Sequence, residues 1–228
     1  AAYPMMAAER GMISMITADS GRGPKHVAPF GGMEKRLGTN PISIAMPSDL
    51  DGPFFIDMAT SSVAAGKINL ALARNSDIPE GWILDKNGQA TTNPADFKAG
   101  GPLLPLGGTE GYKGYGLSAM VEIFSGILTG LGHGVEPTGK HNDGCFMACF
   151  KVEAFRDLKT FKAEVAEFAH YLKDTKPAEG FDEVYYPGEI EHNNEVVRGR
   201  DGVTVEDSTW EKLTVLAKKY GMGDKLGL

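Results

Sequence analysis

Between residues 107 and 134 the chain passes from a glycine-rich loop, GGTEGYKGYG, into a nearly uncharged helical pattern. Leu117, Met120, Val121, Phe124, Ile127, Leu128 and Leu131 recur at the i, i+3, i+4, i+7 spacing of one apolar helix face. Ser118, Ala119, Ser125, Gly126, Thr129 and Gly130 make the other face, and small side chains there admit a neighbouring backbone. The pattern predicts a central helix over 117–131 buried on both sides, with Glu122 its only charge.

The other patterned stretches alternate between strands and helices. Residues 1–11 read as the second half of a helix with Met5, Met6 and Ala8 inward and Gly11 as its stop. Strands are expected at 12–17, 37–47, 54–59 and 145–152, the second entered through a Thr39-Asn40-Pro41 turn. After FFIDMA, the hydroxyls of Thr60, Ser61 and Ser62 stand ready to cap a helix carrying Ala64, Ile68, Ala71 and Leu72 on one face. Residues 83–92 read as a hairpin about Asp85-Lys86-Asn87-Gly88, which lacks the alternating acids of a calcium loop. The stretch 157–174 is an amphipathic surface helix, with Leu158, Phe161, Val165, Phe168 and Leu172 as its stripe. A capping box of Ser208 and Glu211 is expected to open a last helix that Gly221 stops. The order predicts an α/β fold: a mixed sheet with covering helices. Residues 1–176 are expected to form the main portion, and 177–228 a C-terminal segment packing back on it.

Composition narrows the function classes. The net charge of −7 argues against nucleic-acid binding, and no apolar run is long enough for a membrane span. Cys145 and Cys149 sit four apart in a strand, roughly 13 Å from each other, too far for a disulfide. They read as small core residues of a reducing, cytoplasmic compartment. His133 and His141 have no metal-ligand spacing, so no metal is expected.

Three places carry candidate chemistry. Tyr112 and Lys113, held among glycines before a helix N-terminus, have the ingredients of an anion site, or of a loop that only needs sharp turns. Asp57 is a lone carboxylate in an apolar strand and needs a partner if buried; it can orient a catalytic histidine or cap a turn. The loop 19–32 lies at a strand's C-terminal end, where His26 is better read as a solvated histidine than as a base.

Taken together, LGTNPISIAMP, FIDMATSSVAAGKI, IPEGWILDKNGQATTNP, LLPLGGTEGYKGYGLSAMVEIFSGILTG and VYYPGEIE resemble, in this order, the type 2 malate/L-lactate dehydrogenase family. The resemblance covers nearly the whole chain. It implies a non-Rossmann fold, a homodimer, and hydride transfer between NAD or NADP and a small 2-hydroxy acid or 2-keto acid, or an imino analogue. The rival reading is a nucleotide- or phosphate-binding module, or an interaction protein, on the same fold without redox activity. The resemblance implies cofactor contacts at Ser20, at Ile56, Asp57, Met58, Ala59, Thr60, Ser61 and Ser62, at Tyr112 and Lys113, and at Pro187, Gly188 and Glu189. Arg22 and Lys25 are candidates to accept a 2′-phosphate, while Asp19 argues for NAD. Family members begin with a further region whose Ser-His-Gly-like motif holds the acid/base histidine. The expectation is therefore an N-terminally truncated chain, inactive alone, with Asp57 the one catalytic candidate left as that histidine's partner.

Overall fold

The computed structural model describes residues 1–19, 21–140 and 142–227. They divide into two compact units, Ala1–Gly188 and Glu189–Leu228. The first unit is built on a four-stranded sheet of order β3-β2-β1-β6, with β1 at Met12–Ala18, β2 at Ile42–Met46, β3 at Phe54–Met58 and β6 at Cys145–Lys151. A small hairpin pairs β4, Ile83–Leu84, with β5, Ala90–Thr91. The α/β class is as expected, but the sheet is antiparallel at every pairing rather than mixed. The link from β2 to β3 explains part of this. Residues 47–53 are too few for the dozen or so residues of a parallel crossover.

Helices cover both faces of the sheet. Ser14 and Thr17 lie three apart in β1 and so point to opposite sides. Ser14 Oγ donates to the Pro4 carbonyl of α1, Ala2–Ala8, at 3.2 Å. Thr17 Oγ1 meets Ser125 Oγ at 2.8 Å on the other side. Ser125 belongs to a π-helical turn, Ile123–Ile127, that continues α4, Tyr112–Glu122. In α1 the buried residues are Pro4 and Ala7, while Met6 is exposed. The proline fits because it stands in the first turn, where its missing N–H is no loss. Gly11 ends the helix with φ +74° and lies against Leu158.

A second core lies beside the sheet. Val27, Ile68, Ile83 and Leu103, each fully buried, join the loop after β1, α2 (Ala65–Ala73), the hairpin and the 103–106 segment. Burying each such side chain is worth about 1.5–3 kcal/mol. Phe97 of α3, Ala95–Lys98, closes it. Helix α5, Leu158–Lys173, starts at Asp157, whose carboxylate accepts the Thr160 N–H at 2.8 Å. It buries Ala166 and Ala169, the latter against Phe54 and Tyr186, and leaves Phe168 half exposed.

Four further expectations are corrected. α4 buries Gly114, Ser118, Val121 and Glu122, and the π turn buries Ser125 and Gly126, whereas Met120, Ile123, Ile127 and Leu128 are 44–63% exposed. The small face packs because it lets β1 and the loops approach: Ser125 Oγ meets Thr17 Oγ1, and a Cβ on Gly126 would stand 2.6 Å from Asp19 Oδ2 and 2.5 Å from the Gly132 carbonyl. Cys145 and Cys149 are exposed, not core, since β6 is an edge strand. Thr60, Ser61 and Ser62 cap no helix, because α2 begins only at Ala65 and has no side-chain cap. The second unit contains α6, Glu189–Asp201, which the hydrophobic pattern does not announce, and α7, Asp207–Lys219. α7 is flanked at its start by Glu206 and has no side-chain cap, so Ser208 lies inside the helix and forms no capping box.

Candidate functional site

The end of β3 runs into 59–62, and every polar group there has a local task. Thr60 N–H donates to the Thr39 carbonyl at 2.9 Å, and its hydroxyl donates to the Asn40 carbonyl at 2.9 Å. Ser61 Oγ donates to the Val63 carbonyl and Ser62 Oγ to that of Trp82. The hydroxyls are thus spent on shaping the turn. Ile56 and Asp57 face outward, Met58 and Ala59 are half-buried, and Thr60 and Ser61 are buried.

Backbone pairing carries this turn toward α4. Ser62 N–H donates to the Leu104 carbonyl at 2.8 Å and Leu106 N–H to that of Thr60 at 3.0 Å. The Leu106 carbonyl then lies under Gly114, where a Cβ would sit 2.1 Å from its oxygen. The helix that begins with Tyr112 and Lys113 is therefore set directly on the segment that pairs with 60–62. Its start has no side-chain cap, which leaves first-turn N–H groups free to meet an anion. Lys113 Nζ stands 3.8 Å from Glu110 and 5.7 Å from the Tyr112 ring, with 68% of its side chain exposed. Tyr112 is half exposed and meets Phe30 edge-on at 6.0 Å. Phe30 also lines a cleft of about 420 Å³ with Leu104, Pro105, Gly108 and Gly111. A hollow of about 470 Å³ elsewhere is lined by Arg22, the candidate acceptor of a 2′-phosphate, with Glu136 and Lys140, and by no residue of 56–62, 112–113 or 187–188.

The third segment reaches the same strand from its other end. Phe55 N–H donates to the Pro187 carbonyl at 3.1 Å. Gly188, at φ +99°, lies against Pro53 and the Phe55 ring so closely that a Cβ would stand 2.4 Å from the Pro53 oxygen. Ile56–Ser62, Tyr112–Lys113 and Pro187–Gly188 are thus brought to one connected framework. Glu189 belongs to the second unit, and Ser20 lies outside the described residues.

Two charged candidates take different roles from those expected. Lys25 is no acceptor of a 2′-phosphate: its Nζ donates to the Gly21 carbonyl at 2.6 Å and to Glu122 Oε1 at 3.0 Å, with 2% of its side chain exposed. Asp19 is buried and accepts the Gly21 and Gly144 N–H groups on Oδ1. Asp57 is 43% exposed, so its carboxylate needs no buried partner; Oδ2 accepts the Ala1 ammonium at 2.5 Å. Burial, and secondarily the charge of Lys35, lowers the His26 pKa from its ordinary value near 6.5, and its ring lies 6.3 Å from Phe97. No cluster of three metal-ligating side chains occurs among the described residues. Glu122 is the functional-site neighbour that pattern reading missed; a lone acid on an otherwise uncharged helix was its only signal.

An antiparallel α/β core with an uncapped, glycine-flanked helix set against a strand-end turn is a fold outside the Rossmann type. The chain belongs to the malate/L-lactate dehydrogenase family, whose model matches residues 1–214. It is 38% identical over 228 residues to the malate dehydrogenase of Pyrococcus horikoshii, covering 96% of this chain and 62% of the relative. It is 33% identical to the ureidoglycolate dehydrogenase (NAD(+)) of Escherichia coli over 92% of this chain and 60% of that protein. The crystal structure of malate dehydrogenase from Entamoeba histolytica superposes with a TM-score of 0.88 at 30% identity, covering 96% of this chain and 64% of that one. The chain thus spans about three fifths of the length of these relatives.

Proposed function

We propose that this chain supplies the nicotinamide-cofactor framework of an oxidoreductase that moves a hydride between NAD(P)H and a small 2-keto acid, giving the 2-hydroxy acid, or between the cofactor and an imino analogue. The observation that carries this reading is the convergence of 56–62, 112–113 and 187–188 through the Phe55–Pro187, Ser62–Leu104 and Leu106–Thr60 backbone bonds and the Gly114–Leu106 approach. These segments, scattered along the chain, are the ones for which the family resemblance implies cofactor contacts, and NAD is the cofactor in the name of one relative, the ureidoglycolate dehydrogenase (NAD(+)).

The residues fit such a group. First-turn N–H groups of α4 and the exposed Lys113 ammonium suit phosphate. Gly188, at a positive φ and without a side chain, lets its segment lie tight against Pro53 and Phe55 beside β3. Bound there, the nicotinamide supplies the hydride. The protein's part is to orient it and to supply a proton to the developing alkoxide. The Asp57 carboxylate, 43% exposed, is an acceptor for an imidazole N–H and so suits the orientation of a histidine. In this reading Ser20 and Glu189 contact the cofactor as well. The exposed apolar flank of Met120, Ile123 and Ile127 supports a homodimer, and the two free cysteines suit the cytoplasm.

Calorimetric titration with NADH and NADPH tests the cofactor site, and oxidation of NADH by a panel of 2-keto acids tests the chemistry. Binding with turnover supports the reading, binding without turnover favours a nucleotide-binding module, and the absence of any nicotinamide binding overturns the proposal.

A further inference from the structure

Lys25, Asn40 and Glu122 form a buried polar set that makes none of the cofactor contacts proposed above. Asn40 is fully buried, and the Lys25 and Glu122 side chains are 2% and 7% exposed. Asn40 Nδ2 donates to Glu122 Oε2 at 2.8 Å and to the Ser118 carbonyl at 3.1 Å. Two acceptors on that atom fix the amide orientation, since a flipped amide would set oxygen against oxygen. Glu122 Oε1 accepts from Lys25, whose Nζ is also tied to the Gly21 carbonyl. Desolvating an ion pair this deeply offsets much of its attraction, so net stability is a weak reason for its presence. A fixed register between elements is a better one.

The placement of Asn40 says which elements. Its main-chain carbonyl accepts the Thr60 hydroxyl, and the preceding Thr39 carbonyl accepts the Thr60 N–H. Its side chain reaches the middle and end of α4, the helix whose first turn holds Tyr112 and Lys113. The residue takes φ +40°, a left-handed conformation that asparagine and aspartate tolerate better than other side chains, and this lets one residue face both partners. We propose that Asn40, backed by Glu122 and Lys25, is a positioning residue: it locks the 56–62 turn to α4 so that both meet one dinucleotide in fixed register. The proposal rests on the reading of those two segments as cofactor contacts.

The test uses Asn40→Asp, alone and with Glu122→Gln, in the 228-residue chain. Aspartate keeps the size and the left-handed tolerance but sets an oxygen against Glu122 Oε2 and the Ser118 carbonyl. Adding Glu122→Gln gives the new carboxylate an amide donor and keeps an acceptor for Lys25. Amide hydrogen exchange is followed on peptides covering 56–62 and 112–118, with NADH titrated well below the melting temperature. Asn40→Asp is expected to speed exchange in both peptides and to raise the NADH Kd, each about tenfold or more, and the double variant to recover at least half of each change on a logarithmic scale. Unchanged exchange in either peptide, an unchanged Kd with only a lowered melting temperature, or no recovery in the double variant overturns the lock. If the unaltered chain binds no NADH, the proposed function fails, and the exchange arm decides the lock alone: a coupled rise with recovery supports it, and anything less overturns it.

Discussion

Gly114→Ala and Gly116→Ala test the seating of α4, because the two glycines share one helix and differ in what stands over them. In helices, alanine is favoured over glycine by about 0.8–1 kcal/mol. At Gly116 nothing lies within 4 Å of a new Cβ, so Gly116→Ala should realise most of that gain. At Gly114 the Cβ would stand 2.1 Å from the Leu106 oxygen and 2.8 Å from its carbonyl carbon and its nitrogen. These are backbone atoms held by the Leu106–Thr60 hydrogen bond, so no side chain can swing aside. Overpacking of this kind costs about 1–3 kcal/mol and exceeds the helix gain. Gly114→Ala should therefore lose about 1–2 kcal/mol, and the two variants should stand about 2–3 kcal/mol apart. Urea unfolding measures this; with a slope of about 2 kcal/mol/M the midpoints separate by roughly 1 M. A Trp210→Phe background leaves Trp82, in the first unit, as the fluorescent probe, which matters because two compact units need not unfold together. If Gly114→Ala stabilises as much as Gly116→Ala, the close approach of helix and 104–106 segment is wrong.

Lys113→Ala should weaken NADH binding by about 1 kcal/mol, roughly fivefold, the low end for a charged donor because the side chain is largely exposed; an unchanged Kd by calorimetry removes it from the site. Gly126→Leu should destabilise by about 1–3 kcal/mol, since a Cβ there already stands 2.6 Å from Asp19 Oδ2, and a raised urea midpoint would refute the packing. His26 has a native pKa below its ordinary 6.5, so the unfolded chain binds its proton first as pH falls. Its contribution is whole above about pH 6.5 and is lost on descending through the lower native value; His26→Gln should therefore flatten part of the stability loss between pH 7 and pH 5, and parallel profiles for the two proteins would count against it.

Local chemistry made much of this protein legible. Short apolar runs marked β1 and β3, alternation marked β6, the Asp85–Gly88 turn marked its hairpin, and Asp157 with its apolar stripe marked α5, because each depends on residues close in sequence. The order of five motifs also pointed to the family that residues 1–214 match. α6, with scarcely any apolar stripe, offered no such signal. The buried face of α4 was beyond local pattern too: periodicity shows that a helix has two faces, and cannot weigh a leucine stripe against serines and glycines that let Asp19, Gly132 and Leu106 come within reach. Likewise Lys25 reads as a candidate acceptor of a 2′-phosphate until Glu122, 97 residues on, is folded against it. The sequence by itself determined where most helices and strands lie and which segments resemble those of the family. Only the tertiary structure decided which polar groups are spent holding those segments and which are left exposed, because a buried charge or hydroxyl takes its role from partners that chain folding alone brings near.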